Sequence, residues 1–249
     1  AQHNNGGLAV DCWWQTDVEG LFAAGEAAAT HGVYRPGGSA LNAGQVGSMR
    51  AARYIAARRN GQPDSAGRFA QAAREQMERV VRTGNMALER ADNAAQLLAE
   101  AQRDMSRAGA AIREAAAIAA LANTTKRRLF DLERDAGCSE RTLPQFFRYR
   151  DALIGQCVYL SAMADYIAKG GKSRGSALYY DAAGMRPHAA LDERFRFVLD
   201  NGDLGRMVQE VKYRDGECAF EWRPVRPLPD DDDFFENVWR GFRDNGNIY

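Results

Sequence analysis

The spacing of hydrophobic positions changes twice along this chain. Near the N-terminus, residues 8–10 and 20–25 are short apolar runs bounded by glycines or acidic turns, a form typical of buried strands. A glycine-rich stretch follows at 32–47. Residues 46–59, rich in Ala and Arg, predict a helix that ends before the Asn-Gly-Gln-Pro sequence at 60–63.

Apolar residues between 65 and 169 recur every three or four positions, which places them on single helical faces. Gly137 interrupts the pattern, and Thr142 followed by Pro144 predicts that a helix restarts with Thr142 as its N-cap. We therefore predict a bundle of three or four long antiparallel helices. Its apolar stripes include Leu88, Ala91, Ala95, Leu98 and Met105, and then Leu153, Cys157, Leu160, Ala164 and Ile167.

The last part of the chain changes character again. Two β-prone runs, 207–213 and 218–225, flank Asp215-Gly216, a dipeptide that favours tight hairpin turns because it tolerates positive φ. A helix is predicted at 234–242, with the acidic run 230–233 offsetting the positive end of its dipole; we assign this run no metal. The predicted fold class is α+β, mainly helical.

Composition narrows the classes of function. The chain has 33 basic and 33 acidic side chains, and this zero net charge argues against a nucleic-acid partner. No apolar run approaches the roughly 18 residues that span a bilayer. The four cysteines show no metal-binding spacing and fit a reduced, cytoplasmic setting; they are Cys12, Cys138, Cys157 and Cys218.

The glycine-rich stretch carries the residues with the clearest chemical potential. His31 and Arg35 lie among glycines just before a predicted helix. Glycines let backbone N–H groups approach a ligand closely, and a helix N-terminus favours negative charge. Arg35 could hold a carboxylate through two hydrogen bonds. The residues alone leave open whether this segment is a binding site or a structural turn, and we give His188 a surface or structural role.

Two motifs in this region resemble a known family. The sequence TDVEGLFAAGE at 16–26, followed by His31-Gly32, Arg35 and GGSAL at 37–41, is similar to the second FAD-contacting segment of the succinate dehydrogenase/fumarate reductase flavoprotein and L-aspartate oxidase family. Segments 105–113 and 151–168, the Ser-Arg-Gly turn at 173–175 and EWRPV at 221–225 resemble later parts of the same family. The resemblance is colinear over nearly all of the chain.

The resemblance implies FAD as cofactor and assigns roles by position. Glu26 corresponds to an acidic residue that contacts FAD, and the backbone of Ala40 and Leu41 corresponds to the pair that meets the flavin ring. Such N–H groups can stabilise the negative charge of a reduced flavin. The implied cofactor-binding residues are Gly25, Glu26, Gly38, Ser39, Ala40 and Leu41.

The resemblance also implies catalytic residues. Arg35 corresponds to the arginine that grips a substrate carboxylate, with His31 alongside it. The family's substrate-binding histidine falls on Gln2 in this chain, and His3, one position later, is the remaining candidate. This departure leaves dicarboxylate specificity open.

These implications lead to an expected organisation. We expect residues 1–62 to be the C-terminal segment of an FAD-binding domain, 63–172 a helical bundle, and 173–249 a region with the β-hairpin and a short terminal helix. The chain lacks a GxGxxG phosphate loop and an initiator Met, so we expect it to be the C-terminal part of a longer polypeptide. The alternative is that it pairs with a separate chain that carries the rest.

The expected function is that of an FAD-dependent oxidoreductase that transfers hydride between flavin and a carboxylate-bearing small molecule. Its expected partners are that substrate, the remainder of the flavoprotein and an electron-transfer subunit. Such a subunit would hold a cytoplasmic protein at the inner face of the membrane. The alternative is a stand-alone helical interaction module without redox activity.

Overall fold

A computed structural model describes residues 6–31, 37–58, 61, 63–175, 177–225, 230 and 232–244. The chain forms two compact units, one of residues 1–63 and 226–249, the other of 64–225. The protein is mainly helical α+β, as predicted. The hairpin belongs to the same compact unit as the helices of residues 66–168. The three-part domain division stays a prediction. Within the described residues, no helix combines the length and apolarity that crossing a bilayer requires.

The helices and strands follow one another along the chain in a simple order. The helices are α1 Ser39–Arg58, α2 Ala66–Leu88, α3 Ala94–Ala108, α4 Ala115–Phe130, α5 Leu132–Asp135, α6 Leu143–Ala168 and α7 Phe234–Arg243. The strands are β1 Ile112–Arg113, β2 Leu178–Met185, β3 Met207–Arg214 and β4 Glu217–Pro224. β1 pairs in parallel with β2, and β3 pairs antiparallel with β4.

Helix α1 begins seven residues before its predicted start, so the prediction of a start at residue 46 is wrong. Glycines suggested a loop there, but two of them lie inside the helix at close contacts. A Cβ on Gly47 would collide with the indole of Trp14, and one on Gly44 would lie 3.5 Å from the Cα of Gly25. Gly47 therefore allows α1 to pack closely on Trp14, whereas the contact at Gly44 is an ordinary one.

The two strands predicted at 8–10 and 20–25 do not form. In the described part of this region the pairing is limited to an isolated bridge between Gln15 and Phe22. Leu8 and Leu21 are exposed, so these apolar runs are not buried strands. A strand needs a neighbour along its length, and the described residues supply none here.

The second unit buries its core between helices, and the predicted stripe on α6 lies in that core. The first predicted stripe is only partly right, because Leu88, Ala91 and Ala95 are exposed. Helix α6 lies against both α3 and α4, and most of its buried side chains face one of the two. One cluster joins α6 to α3 and the other joins α6 to α4. The buried residues of these clusters include Ala94, Ala101, Phe146 and Leu153, and then Ile118, Leu121 and Leu160.

The start of α6 lies where predicted, but Thr142 does not cap it with its side chain. The Thr142 hydroxyl donates to Asp92 instead (2.8 Å), and the Ser139 hydroxyl donates to the other oxygen of the same carboxylate (2.8 Å). The hydrogen bonds of Ser139 and Thr142 hold the pKa of Asp92 below its usual value. This network ties the α2–α3 turn to the start of α6.

The predicted hairpin is confirmed. Asp215 and Gly216 both have positive φ, 51° and 86°, as a tight turn between β3 and β4 requires. One carboxylate oxygen of Asp165, on α6, accepts hydrogen bonds from Gln209 Nε2 (2.8 Å) and Trp222 Nε1 (2.7 Å). This oxygen therefore joins both strands of the hairpin to α6. Gln209 Nε2 also donates to the carbonyl of Ala162 on α6 (3.0 Å), and Lys126 on α4 pairs with Glu217 on β4 (2.9 Å).

Helix α2 is packed at one end only. Gly84 and Ala87 are buried near its C-terminus, where the space beside Gly84 is filled by Leu143 and Phe147. Among the described residues from 66 to 82, Ala73 alone is half-buried and all others are exposed. The apolar stripe of this helix therefore continues beyond the core that it helps to form.

Candidate functional site

Five of the residues singled out from the sequence line one cavity in the first unit. The cavity has a volume of about 620 Å³. It lies where the 3₁₀ turn Gly25–Ala28 meets the first turns of α1. Its described lining residues are Gly25, Glu26, His31, Ala40, Leu41, Gly44, Gln45 and Ser48.

The remaining predicted site residues are distributed differently. Gly38 and Ser39 lie at the start of α1, next to the cavity but not among its described lining residues. Arg35 and His3 lie outside the described residues. The assignments of all these residues to roles stay predictions.

Backbone geometry fixes the turn that carries Glu26. Gly25 and Ala29 flank it with φ of 67° and 50°, the left-handed region that favours glycine. The N–H of Leu8 donates to the carbonyl of Ala27 (2.8 Å). A Cβ on Gly7 would lie only 2.6 Å from that carbonyl oxygen. The segment before the turn therefore lies directly on it and holds its shape.

The N-terminus of α1 forms the opposite wall. Gly38 has φ of 83° and precedes Ser39, so Ala40 and Leu41 fall in the first turn of the helix. The first N–H groups of a helix lack partners within it and favour an electronegative ligand. Leu41 is 77% exposed. This wall therefore offers backbone donors together with an exposed apolar side chain.

An aromatic cluster fixes the later turns of α1. Trp13 stacks on Tyr54 with ring centroids 5.4 Å apart, and the Arg50 guanidinium lies 4.7 Å from the Trp13 ring. The same arginine donates from Nε to the carbonyl of Cys12 (3.0 Å). Cation–π and stacking contacts of this kind restrain the helix against the loop. The position of α1, which forms one wall of the cavity, is thus fixed by side chains that do not line the cavity.

His31 is the most unusual polar residue of the site. It is 7% exposed, and both ring nitrogens are buried without a hydrogen-bond partner among the described residues. A buried polar group left unpaired costs about 1–3 kcal/mol. An imidazole in this state on a cavity wall fits a site that a polar ligand completes.

Sequence reasoning missed three lining residues, Gly44, Gln45 and Ser48. It missed them because the predicted start of α1 was placed after Gln45. With the helix started at Ser39, Leu41, Gln45 and Ser48 are spaced at i, i+4 and i+7, which places them on one face. This spacing is the signal that could have found them.

The Ser-Arg-Gly turn has a structural role in the second unit. Ser173 is buried, and its Oγ accepts from the N–H of Tyr179 (2.7 Å) and donates to the carbonyl of the same residue (3.1 Å). Nearby, the Tyr166 hydroxyl donates to Asp200 (2.8 Å). Burial and this hydrogen bond raise the pKa of Tyr166 to about 12. These bonds fix the end of α6 and the start of β2.

The first part of this chain is similar to a known domain. Residues 1–41 match the family model of the FAD binding domain. An L-aspartate oxidase from Mycobacterium leprae (strain TN) is 35% identical over 126 residues, 50% of this chain and 20% of that protein. The matched region thus spans about a fifth of the relative's length. Together, these matches show that the chain is similar to L-aspartate oxidase, a member of the succinate dehydrogenase/fumarate reductase flavoprotein family, and the match to the FAD binding domain indicates FAD as the cofactor.

Proposed function

We propose that this chain forms the flavin-facing wall and the substrate clamp of an FAD-dependent oxidoreductase that acts on a carboxylate-bearing small molecule. The observation that carries the proposal is the single cavity lined by Gly25, Glu26, His31, Ala40 and Leu41. These residues were selected from their sequence motif, and their meeting at one site supports a shared ligand. The match of residues 1–41 to an FAD binding domain supports FAD as that ligand.

The described residues fit this cofactor. FAD, when bound, supplies the hydride-transfer chemistry. In our proposal, Glu26 accepts hydrogen bonds from cofactor hydroxyls, and the N–H groups of Ala40 and Leu41 stabilise negative charge at the flavin ring. The unpaired nitrogens of His31 support the presence of a polar ligand on this wall.

The substrate side of the proposal depends on Arg35 and His3. Arg35 would orient a substrate carboxylate through a bidentate pair, so that the carbon next to it faces the flavin. Reduction of a C=C bond of the fumarate type is the direction we favour. The proton would come from a residue outside this sequence.

The partners and location belong to the same proposal. We propose that the segments described as an FAD-binding part, a helical bundle and a C-terminal region work together with the remainder of the flavoprotein. An electron-transfer subunit would exchange electrons with the flavin. The setting would be cytoplasmic, at the inner face of the membrane when that subunit is bound.

The test uses the protein at the length that its gene encodes. We expect flavin absorbance that bleaches on reduction and recovers with fumarate. Arg35→Ala should lower turnover by about 100-fold or more, because a charged hydrogen-bonded pair is lost, while flavin stays bound. Arg35→Lys, which keeps the charge but loses the bidentate geometry, is the matched control. Its turnover should lie between that of the wild type and that of Arg35→Ala.

Two results would count against the proposal. Loss of flavin in Arg35→Ala would show that Arg35 binds the cofactor or supports the fold and does not act only on the substrate. Protein that carries no flavin, with no spectral change on adding FAD, would favour the alternative of a helical interaction module without redox activity.

A further inference from the structure

Two of the four cysteines lie where the hairpin packs on the helical bundle. Cys157 is on α6 and is 1% exposed, whereas Cys218 is on β4 and is half-buried. Both thiols are free. They belong to the second unit, so neither has a part in the candidate flavin site of the first unit.

The hydrogen bond between Trp222 and Asp165 sets the position of β4 along α6. Cys218 lies four residues before Trp222 on the same face of β4, about 13 Å along the strand. Cys157 lies eight residues before Asp165, about 12 Å along the helix axis. α6 and β4 contact each other, and the equal distances bring Cys218 level with Cys157.

A second contact fixes the direction in which β4 runs. Lys126 Nζ, on α4, pairs with Glu217, the neighbour of Cys218 (2.9 Å). The pKa of Lys126 is raised first by its hydrogen bond with Glu217 and further by the thiolates of Cys218 and Cys157. One ammonium group therefore lies within electrostatic range of both thiols.

The two thiols also act on each other. Burial raises the pKa of Cys157, and the thiolate of Cys218 raises it further. Tyr213 lies directly opposite Cys218 in the hairpin, and its pKa is raised by burial and then by both thiolates. Position along the elements and electrostatic interaction thus agree that these cysteines are neighbours at the junction of α4, α6 and β4.

We propose that Cys157 and Cys218 form a reversible disulfide when hydrogen peroxide oxidises the protein. The Cys218 thiolate attacks one peroxide oxygen, the O–O bond breaks, and a sulfenic acid and water are formed. The Cys157 sulfur then attacks the Cys218 sulfur, the S–S bond forms, and the sulfenic oxygen leaves as a second water. In total, two thiols lose two electrons and two protons, and one peroxide becomes two waters.

Burial gives the two cysteines different roles. The half-buried Cys218 is open to a small oxidant in solvent, while the thiol of Cys157 is shielded and reacts with its neighbour. Disulfides of this kind in a reducing compartment are transient and redox-sensing. The bond would join α6 to β4 covalently. This inference goes beyond the proposed function, because it needs neither flavin nor turnover.

The experiment uses the protein at the length that its gene encodes, treated with hydrogen peroxide while folded. After the peroxide is removed, remaining thiols are alkylated in denaturant. Trypsin releases Cys157 in peptide 151–169 and Cys218 in peptide 215–240, each with one cysteine. We expect mass spectrometry to show these two peptides linked, and dithiothreitol to abolish the link. The linked protein should run as a monomer on a non-reducing gel.

Two variants test the roles of the cysteines. In Cys157→Ala no thiol can resolve the sulfenic acid, so Cys218 should accumulate as sulfinic acid. Cys138→Ala removes another buried cysteine and should leave the link between the two peptides unchanged.

Three results would overturn the proposal. In the first, both peptides of the peroxide-treated wild type stay alkylated. In the second, Cys218 reaches sulfinic acid while Cys157 stays a thiol. In the third, Cys218 links to Cys12, to Cys138 or to a second copy of the chain. If Cys157→Ala does not fold, the wild-type result decides alone, and it does so whether or not the protein binds FAD.

Discussion

Asp165 offers a direct test of how the hairpin is joined to the bundle. Its Oδ2 accepts from both Gln209 and Trp222, at 2.8 and 2.7 Å. All three side chains are half-buried. Replacing Asp165 with Ala removes the shared acceptor of two donors at once, whereas Asn keeps an oxygen acceptor of similar shape but without charge.

The expected cost follows from these contacts. A hydrogen bond to a charged group contributes about 1.5–3 kcal/mol to stability. The low end of this range applies here, because all three side chains are half-buried. Asp165→Ala should therefore lower the free energy of unfolding by about 3 kcal/mol, on the order of 100-fold in the unfolding equilibrium. Asp165→Asn should cost about 1 kcal/mol. For a domain of this size, the first change corresponds to a Tm lower by about 6–12 °C.

Two signals separate the hairpin from the helices in urea unfolding. Trp222 is the one tryptophan in the sequence between residues 64 and 225, and the other three lie outside that unit. The difference in fluorescence between the wild type and Trp222→Phe therefore reports on the hairpin, while far-UV circular dichroism reports on the helices. Trp222→Phe and the double variant with Asp165→Ala complete a double-mutant cycle, followed by circular dichroism alone. The cycle should show a coupling of about 1–2 kcal/mol.

Additive effects in this cycle would show that Asp165 and Trp222 do not interact and would refute the predicted coupling. An equal loss of unfolding free energy in Asp165→Ala and Asp165→Asn would refute the predicted difference between them, because the oxygen acceptor that Asn retains would then contribute nothing. Controls should show that neither change alters the helical signal of the folded protein.

Two further predictions concern stability. Gly47→Ala should destabilise the first unit by about 1–3 kcal/mol, because the new Cβ would press on Trp14. Gly67→Ala, in open space on α2, should stabilise the second unit by up to about 1 kcal/mol. Equal shifts of the thermal unfolding temperature in the two variants would contradict this prediction. The lowered pKa of Asp92 means that its contribution is present at neutral pH and is lost as the pH falls through its folded-state pKa. Between about pH 5 and pH 2, the Tm of Asp92→Asn should therefore fall less than the Tm of the wild type. An equal fall in both proteins would exclude Asp92 as a source of the acid sensitivity.

Local rules predicted the elements whose causes lie within a few residues. The hairpin follows from Asp215-Gly216, whose positive φ values define the turn. The start of α6 follows from Thr142 and Pro144, although the Thr142 side chain serves Asp92 and not the helix. These features depend on backbone preferences that a short sequence window carries.

Features set by distant contacts were not predicted. Gly44 and Gly47 suggested a loop, but their meaning depends on Gly25 and Trp14, which lie about twenty and thirty residues earlier. The same error hid Gln45 and Ser48 from the predicted site. The motif around Glu26 and His31 located the cavity, but it carried no information on the burial of the His31 ring.

Helix α2 has a consequence for the energetics of the second unit. Its last turns are fixed by buried Gly84 and Ala87, but the residues from 66 to 82 make few tertiary contacts. An isolated helix of that length is marginal in water, so this end can fray while the core around Phe146 stays folded. The bundle therefore combines a cooperative core with a helical arm whose opening costs much less than global unfolding.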